Sequence, residues 1–243
     1  MTVISFWGFK AISVVSEPIS FTSSSFTIFI TICPGVRLSK TSCPIALSCT
    51  ELEQAERSAA EHLVRTIEEN GFRADYGMFG SRHVPEALVR FGFPGHWIRL
   101  LTQPEIPGYA AMLRMNGSTL EKQWKCNESG NHPVLGGFAG VLYEYLAGIQ
   151  LDEGQPGSRC FRLSPKPSVL LGSVSAFHRM ESGELRVDWE IKKGMFELTA
   201  ALPPDGSAVL ELPDGREEKL FGAATRHYTC RLSEEKQEKH MEL

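Results

Sequence analysis

From Thr50 onward the apolar positions recur first with the period of a helix and then with the period of a strand. Thr50-x-x-Glu53 has the form of a capping box, in which a hydroxyl and a carboxylate satisfy free N–H groups at a helix start. Leu52, Ala55, Ala59, Leu63 and Ile67 follow at helical spacing, and Ala60 and Val64 widen the stripe. Asn70-Gly71 supplies a left-handed stop. The pattern predicts a second helix from about Pro85 to Phe91, ending at Gly92. A third follows Pro94, with Trp97, Ile98, Leu100 and Leu101 on its buried side. Short glycine-rich turns join these three, as in antiparallel helix hairpins. Glu105 to Asn131 reads as irregular. A fourth helix runs from about Val134 to Leu146, with Phe138, Val141, Leu142, Tyr145 and Leu146 as its face, and stops at Gly148.

Beyond Gln150 the period becomes alternating. Arg159–Leu163, Ser173–His178, Leu185–Ile191 and Met195–Leu202 read as strands. Turn chemistry separates them at Glu181-Ser182-Gly183-Glu184, Lys192-Lys193-Gly194, Pro204-Asp205-Gly206 and Pro213-Asp214-Gly215. Regularly spaced short strands indicate an antiparallel β-sandwich. The chain therefore reads as α+β and multidomain, with helix hairpins over residues 51–151, a sandwich over 152–232 and a charged, solvated tail over 233–243.

Residues 1–50 are a different kind of sequence. Of the chain's 25 basic and 29 acidic residues they hold only Lys10, Glu17, Arg37 and Lys40. Met1 to Phe9 has no basic residue, so a signal peptide is not indicated. Phe21 to Ile32 is interrupted by Thr22, Ser23, Ser24 and Ser25 and is well short of the roughly 20 residues that span a bilayer. Phe26 to Ile32 alternates loosely, as a strand would. One reading makes this segment a pair of strands leading into the fold. The other makes it an atypical addition with poor order.

Composition narrows the function. At 42% hydrophobic and 22% charged, 243 residues can bury a sizeable core. The net charge of −4 argues against a polyanion-binding protein, so nucleic acid is not an expected partner. Cys33, Cys43, Cys49, Cys126, Cys160 and Cys230 form no C-x-x-C pair, so no structural zinc is expected. No cofactor and no membrane partner are expected, and the absence of a visible export signal points to the cytoplasm.

Several stretches carry a family resemblance. Gly71 to Gly80 (GFRADYGMFG) and Leu101 to Tyr109 (LTQPEIPGY) look like inter-helix turns of bacterial α-L-rhamnosidases of glycoside hydrolase family 78. Asn116 to Trp124 (NGSTLEKQW) is similar to that family's loop of the form G-A-T-T-L-W-E-x-W. Asn131-His132-Pro133 and Tyr143 to Ile149 (YEYLAGI) resemble its Asn-His pair and the helix that follows. Pro156 to Pro167 (PGSRCFRLSPKP) resembles its entry into a C-terminal β domain. The order is kept from about Glu51 to about Leu232.

The resemblance implies an (α/α)6 six-hairpin barrel flanked by β domains, of which this chain would supply the last helices and the C-terminal sandwich. It implies inverting hydrolysis of terminal α-L-rhamnose, with a rhamnose-containing glycoside as partner. Inversion needs two carboxyl groups roughly 6.5–9.5 Å apart, one to protonate the leaving oxygen and one to activate water. The family carries its acid in the earlier barrel half, and Glu17 is the only acidic residue among residues 1–50. The site is therefore expected to be half complete, and the chain alone inactive.

Aligning Leu120 and Trp124 with the family loop puts Lys122 at the position of the catalytic base. A lysine with an unperturbed pKa near 10.4 is mostly protonated at neutral pH and cannot accept water's proton unless strongly desolvated. Either Glu121 serves as a shifted base or the loop has lost its base. His132 resembles the histidine that hydrogen-bonds rhamnose; otherwise it is a helix-opening residue ahead of Pro133. Trp124 resembles the aromatic that lines the sugar pocket; otherwise it anchors the loop. Glu105 reads as a loop-holding residue. Two other functions stay open: a non-catalytic remnant whose sandwich packs or contacts carbohydrate, and a glucosidase-like enzyme on the same barrel scaffold.

Overall fold

The computed structural model describes residues 2–6, 9–14, 49–116, 119–151 and 159–232. The chain divides into two units, at Phe138/Ala139, with the N-terminal strands joining the second.

The helical unit starts with α1 (Cys49–Glu69). Ala60, Leu63, Val64 and Ile67 of the predicted stripe are buried, whereas Ala55 and Ala59 are exposed. Its stop is the predicted one: Gly71 has φ +64°, and Phe72 N–H bonds back to the Ile67 carbonyl at 2.9 Å. Helix α2 (Gly80–Arg90) begins five residues before the predicted Pro85, which lies inside it. Proline has no N–H, so at this interior position the helix runs on without the bond that residue 85 would have donated to the Ser81 carbonyl. Helix α3 (Pro94–Thr102) has Pro94 in its first turn and buries His96, Trp97, Ile98 and Leu100.

Helix α4 (Tyr109–Asn116) falls in the stretch read as irregular. The Pro-Gly entry hid it, although Ala110 to Arg114 are strong helix formers and Tyr109 and Met112 supply a buried face. The predicted fourth helix forms in three pieces: a 3-10 turn (Pro133–Gly137), α5 (Phe138–Val141) and a π turn (Leu142–Leu146). Gly137 is needed for close approach, since a Cβ there would lie 2.8 Å from Ser81 Oγ. The core of the helical unit is mainly aliphatic and holds an aromatic cluster. Trp97, Tyr109 and Phe138 meet with ring centroids 4.7–5.8 Å apart, in the edge-on and tilted geometries that aromatic pairs favour.

The second unit is the predicted sandwich. One sheet contains β1 (Thr2–Phe6), β2 (Phe9–Val14), β5 (Ser173–Met180), β6 (Gly183–Lys192), β7 (Met195–Ala201) and β10 (Thr225–Arg231), in the order β10-β7-β6-β5-β1-β2. The other contains β3 (Ile149–Leu151), β4 (Cys160–Leu163), β8 (Ser207–Glu211) and β9 (Glu217–Phe221), in the order β3-β4-β8-β9. Among the described residues all ladders are antiparallel except β4 with β8. The alternating stretch Phe26 to Ile32 lies outside the described residues, as do residues 233–243.

Strand alternation puts Val174, Ala176, Leu185, Val187, Trp189, Phe196, Leu198 and Ala200 into the core. The end of the π turn belongs to this unit: Trp189 Nε1 donates to the Leu146 carbonyl at 2.8 Å. Two residues on, Gly148 has φ +80°, and its carbonyl accepts from Ser164 N–H at 2.9 Å. A Cβ at Gly148 would lie 2.2 Å from the Pro165 nitrogen, so the two backbones touch there.

Candidate active site

Two loops of the helical unit carry the residues singled out from the sequence. The first, Gln103 to Gly108, fastens itself internally and to the end of α1. Gln103 Nε2 donates to the Gly71 carbonyl at 2.6 Å, and its Oε1 accepts from Glu105 N–H at 3.1 Å. The Glu105 carboxylate pairs with Arg73. Ala74 N–H donates to the Pro107 carbonyl at 2.8 Å, after a cis Ile106-Pro107 bond. Glu105 is therefore placed as a loop-holding residue.

The second loop, Thr119 to His132, is pinched at its neck by His132 N–H donating to the Leu120 carbonyl at 2.8 Å. Lys122 N–H reaches the Ser129 carbonyl at 3.1 Å. At the tip, Gln123 Nε2 donates to Asn127 Oδ1 at 2.7 Å and to Glu128 Oε1 at 2.9 Å. Cys126 turns the chain with φ +50°. These bonds set where each side chain goes.

Glu121 and Lys122, adjacent in sequence, part company. Glu121 is 4% exposed, and its N–H points at the Met112 sulfur at 3.2 Å. Its carboxylate borders Gly130, where a Cβ would stand 3.4 Å from Oε1. The Cys126 thiol is held above its ordinary pKa by burial, and further by the charge of Glu121. Lys122 is half exposed and ion-paired with Glu128 at 2.7 Å. The Lys122 amine thus has a carboxylate partner at the surface, while the neighbouring carboxylate of Glu121 is enclosed.

Trp124 is half-buried. Its indole N–H donates to the Tyr76 carbonyl at 2.7 Å, and its ring stands edge-on to Tyr76 and Tyr109 at 5.7 and 4.9 Å. These are anchoring contacts that tie the loop to the aromatic cluster. His132 precedes the 3-10 turn and caps it, its Nδ1 accepting from Val134 N–H at 3.2 Å. In the neutral ring that bond places the proton on Nε2, which leaves a donor on the far side of the ring.

Sequence reasoning did not single out Tyr76 and Tyr109. The Tyr76 hydroxyl donates to the Tyr109 hydroxyl at 3.4 Å, and burial pushes both phenols well above their ordinary pKa, so both stay neutral. The signal was present, since both tyrosines stand inside the stretches that carry the resemblance. Glu128, the partner of Lys122, gave none, because the pairing depends on the turn at Cys126. Among the described residues no group of three or more His, Cys, Asp or Glu could hold a metal ion, and no helix is long and apolar enough to cross a membrane.

Several known proteins are similar to this chain in sequence and in fold. A curated α-L-rhamnosidase of Formosa agariphila is 25% identical over 197 residues, covering 76% of this chain and 21% of that protein. The crystal structure of the native α-L-rhamnosidase from Aspergillus terreus superposes with a TM-score of 0.66 at 26% identity, over 74% of this chain and 22% of that one. The Streptomyces avermitilis α-L-rhamnosidase complexed with L-rhamnose gives 0.64 at 22% identity, over 74% and 20%. The chain spans between about a sixth and a fifth of the length of the curated relatives it matches. Residues 36–146 match the bacterial α-L-rhamnosidase six-hairpin glycosidase domain, and residues 148–226 match the bacterial α-L-rhamnosidase C-terminal domain. With helices and sandwich assigned in order to one kind of enzyme, this chain belongs to the bacterial α-L-rhamnosidase family.

Proposed function

We propose that this chain forms one side of an α-L-rhamnosidase cleft, for inverting hydrolysis of terminal α-L-rhamnose from glycosides. The observation that carries the reading is the enclosed carboxylate of Glu121, one residue from the position where the family's base is expected. In this reading Glu121 accepts the proton of the attacking water. His132 donates to a sugar hydroxyl through Nε2, and Trp124 gives the pocket an apolar wall suited to a deoxy sugar. The acid that protonates the leaving oxygen comes from the earlier barrel half, so the 243-residue chain by itself is expected not to hydrolyse a chromogenic rhamnoside.

A second reading has its own observation. Trp124 N–H, His132 Nδ1 and Lys122 are all engaged in holding the loop, as they would be in a non-catalytic remnant. Transplanting Thr119–His132 into a full-length relative separates the two. If Glu121 is the base, the chimaera hydrolyses the rhamnoside and Glu121→Gln lowers kcat by on the order of 10²–10⁴. If the loop has lost its base, the chimaera is inactive and Lys122→Glu restores activity. Ordinary turnover by the unaltered 243-residue chain would sink the division of the acid and base between two halves.

A further inference from the structure

The sandwich has a feature that the rhamnosidase reading leaves unused. The outer face of the six-stranded sheet carries a groove of about 570 Å³ between β5, β6, β7 and β10, within the size range of small-ligand sites. Because Val174, Val187, Trp189 and Leu198 face the core, alternation turns Ser175, Asp188 and Thr199 outward. The register sets Ser175 opposite Asp188, Asp188 opposite Thr199, and Thr199 opposite His227. One polar row therefore crosses four strands, a span of about 14 Å at the usual interstrand spacing.

The row is ordered by its own bonds. Arg186 Nε donates to Asp188 Oδ2 at 2.7 Å, and its Nη2 donates to Ser175 Oγ at 3.1 Å. Thr199 Oγ1 and His227 Nδ1 are 2.9 Å apart. In the next row Glu190 stands opposite Glu197. The groove lining thus sets Arg186 against Asp188, Glu190 and Glu197, a balance that disfavours phosphates and acidic sugars. What it offers instead is hydroxyl, carboxylate, guanidinium and imidazole side by side. A neutral polyhydroxylated ligand matches that mixture, because every sugar hydroxyl both donates and accepts.

We propose that this groove is a second, non-catalytic binding site for a short neutral oligosaccharide. The inference leans on the α-L-rhamnosidase reading only for the choice of sugar probe. The test is a protein-detected NMR titration of the full 243-residue chain with rutinose (a neutral rhamnosyl-glucose), maltose and polygalacturonate. Saturable shifts are expected at the amides of Ser175, Asp188, Thr199 and His227. Asp188→Asn and Thr199→Val, both at solvent-facing positions, should each weaken binding at least tenfold while leaving the rest of the spectrum in place.

Shifts confined to Thr119–His132 would overturn the proposal, as would binding undiminished in both variants. So would saturation by polygalacturonate at lower concentration than by either disaccharide, or no saturable shift with any probe. Binding of maltose but not rutinose at the groove would uphold the site and count against rhamnose as its sugar, which keeps the two readings separately refutable.

Discussion

The two units hold their candidate sites in opposite ways. In the sandwich, ladders of backbone bonds fix the strands, and the groove residues stand on the outer face, away from the core that β5, β6 and β7 cover. In the helical unit, Tyr76, Tyr109 and Trp124 close the aromatic cluster and also frame the loop that carries Glu121. Binding and stability are separable in the first case and share side chains in the second. A substitution near the helical site therefore has to preserve shape before its effect on chemistry can be read.

Trp97→Ala should expose that contrast most strongly. Trp97 is fully buried against Tyr109 and Phe138, and large aromatic-to-alanine changes in cores cost about 3–5 kcal/mol. Denaturation followed by circular dichroism should show the helical signal lost at lower urea while the strand signal persists. A single shared transition would break the comparison.

Trp124→Phe is a finer cut. It keeps most of the ring and removes the N–H that bonds the Tyr76 carbonyl, at a cost of about 0.5–1.5 kcal/mol. Hydrogen exchange should speed up between Thr119 and His132 and stay unchanged in α3. Equal acceleration across the unit would mean that the loop is not fastened at this point.

Alkaline pH probes the sandwich. Burial, with the neighbouring Glu218, pushes the Tyr228 phenol up to about 12, and its hydroxyl donates to Glu218 at 2.8 Å. A phenol that keeps its proton longer when folded adds stability that is fully present below pH 10. Between about pH 10 and 12 the unfolded chain loses that proton first, so stability falls as pH rises. Thermal melts of Tyr228→Phe over this window should fall less steeply than those of the unaltered chain. Parallel slopes would rule Tyr228 out as the source.

The smallest effect should be that of Lys122→Ala. It breaks a pair with Glu128 whose members are 53% and 43% exposed, and exposed ion pairs contribute about 0–1 kcal/mol. A loss above that range in a double-mutant cycle with Glu128→Ala would make the loop tip more structural than its exposure implies.

How far the fold was legible follows the range of the interactions involved. The strands from Ser173 to Leu202 were readable because alternation and the Ser182-Gly183 and Lys193-Gly194 turns are local signals. Helix α3 was readable from Pro94 and its apolar side. Helix α2 was cut short because Pro85 was read as a start, although the chain was already turning from Gly77. Helix α4 was missed behind Pro107-Gly108. The parallel pairing of β4 with β8 joins residues more than forty positions apart and leaves no local trace. The loop of the candidate site was legible as a family pattern. Which of Glu121 and Lys122 is enclosed was not, because that is decided by the neck bond from His132 to Leu120 and the turn at Cys126.

Gly148 has a consequence for how such a chain can be inherited. Its positive φ and its contact with Pro165 admit no larger residue, and Trp189 reaches back past it to Leu146. A recombination point placed at Asp152 would strip the sandwich of β3, of this crossing and of the acceptor for its central tryptophan. The heritable cassette therefore includes the Leu146–Leu151 segment together with Ser164 and Pro165. A duplicated or transferred sandwich is expected to carry both pieces or neither.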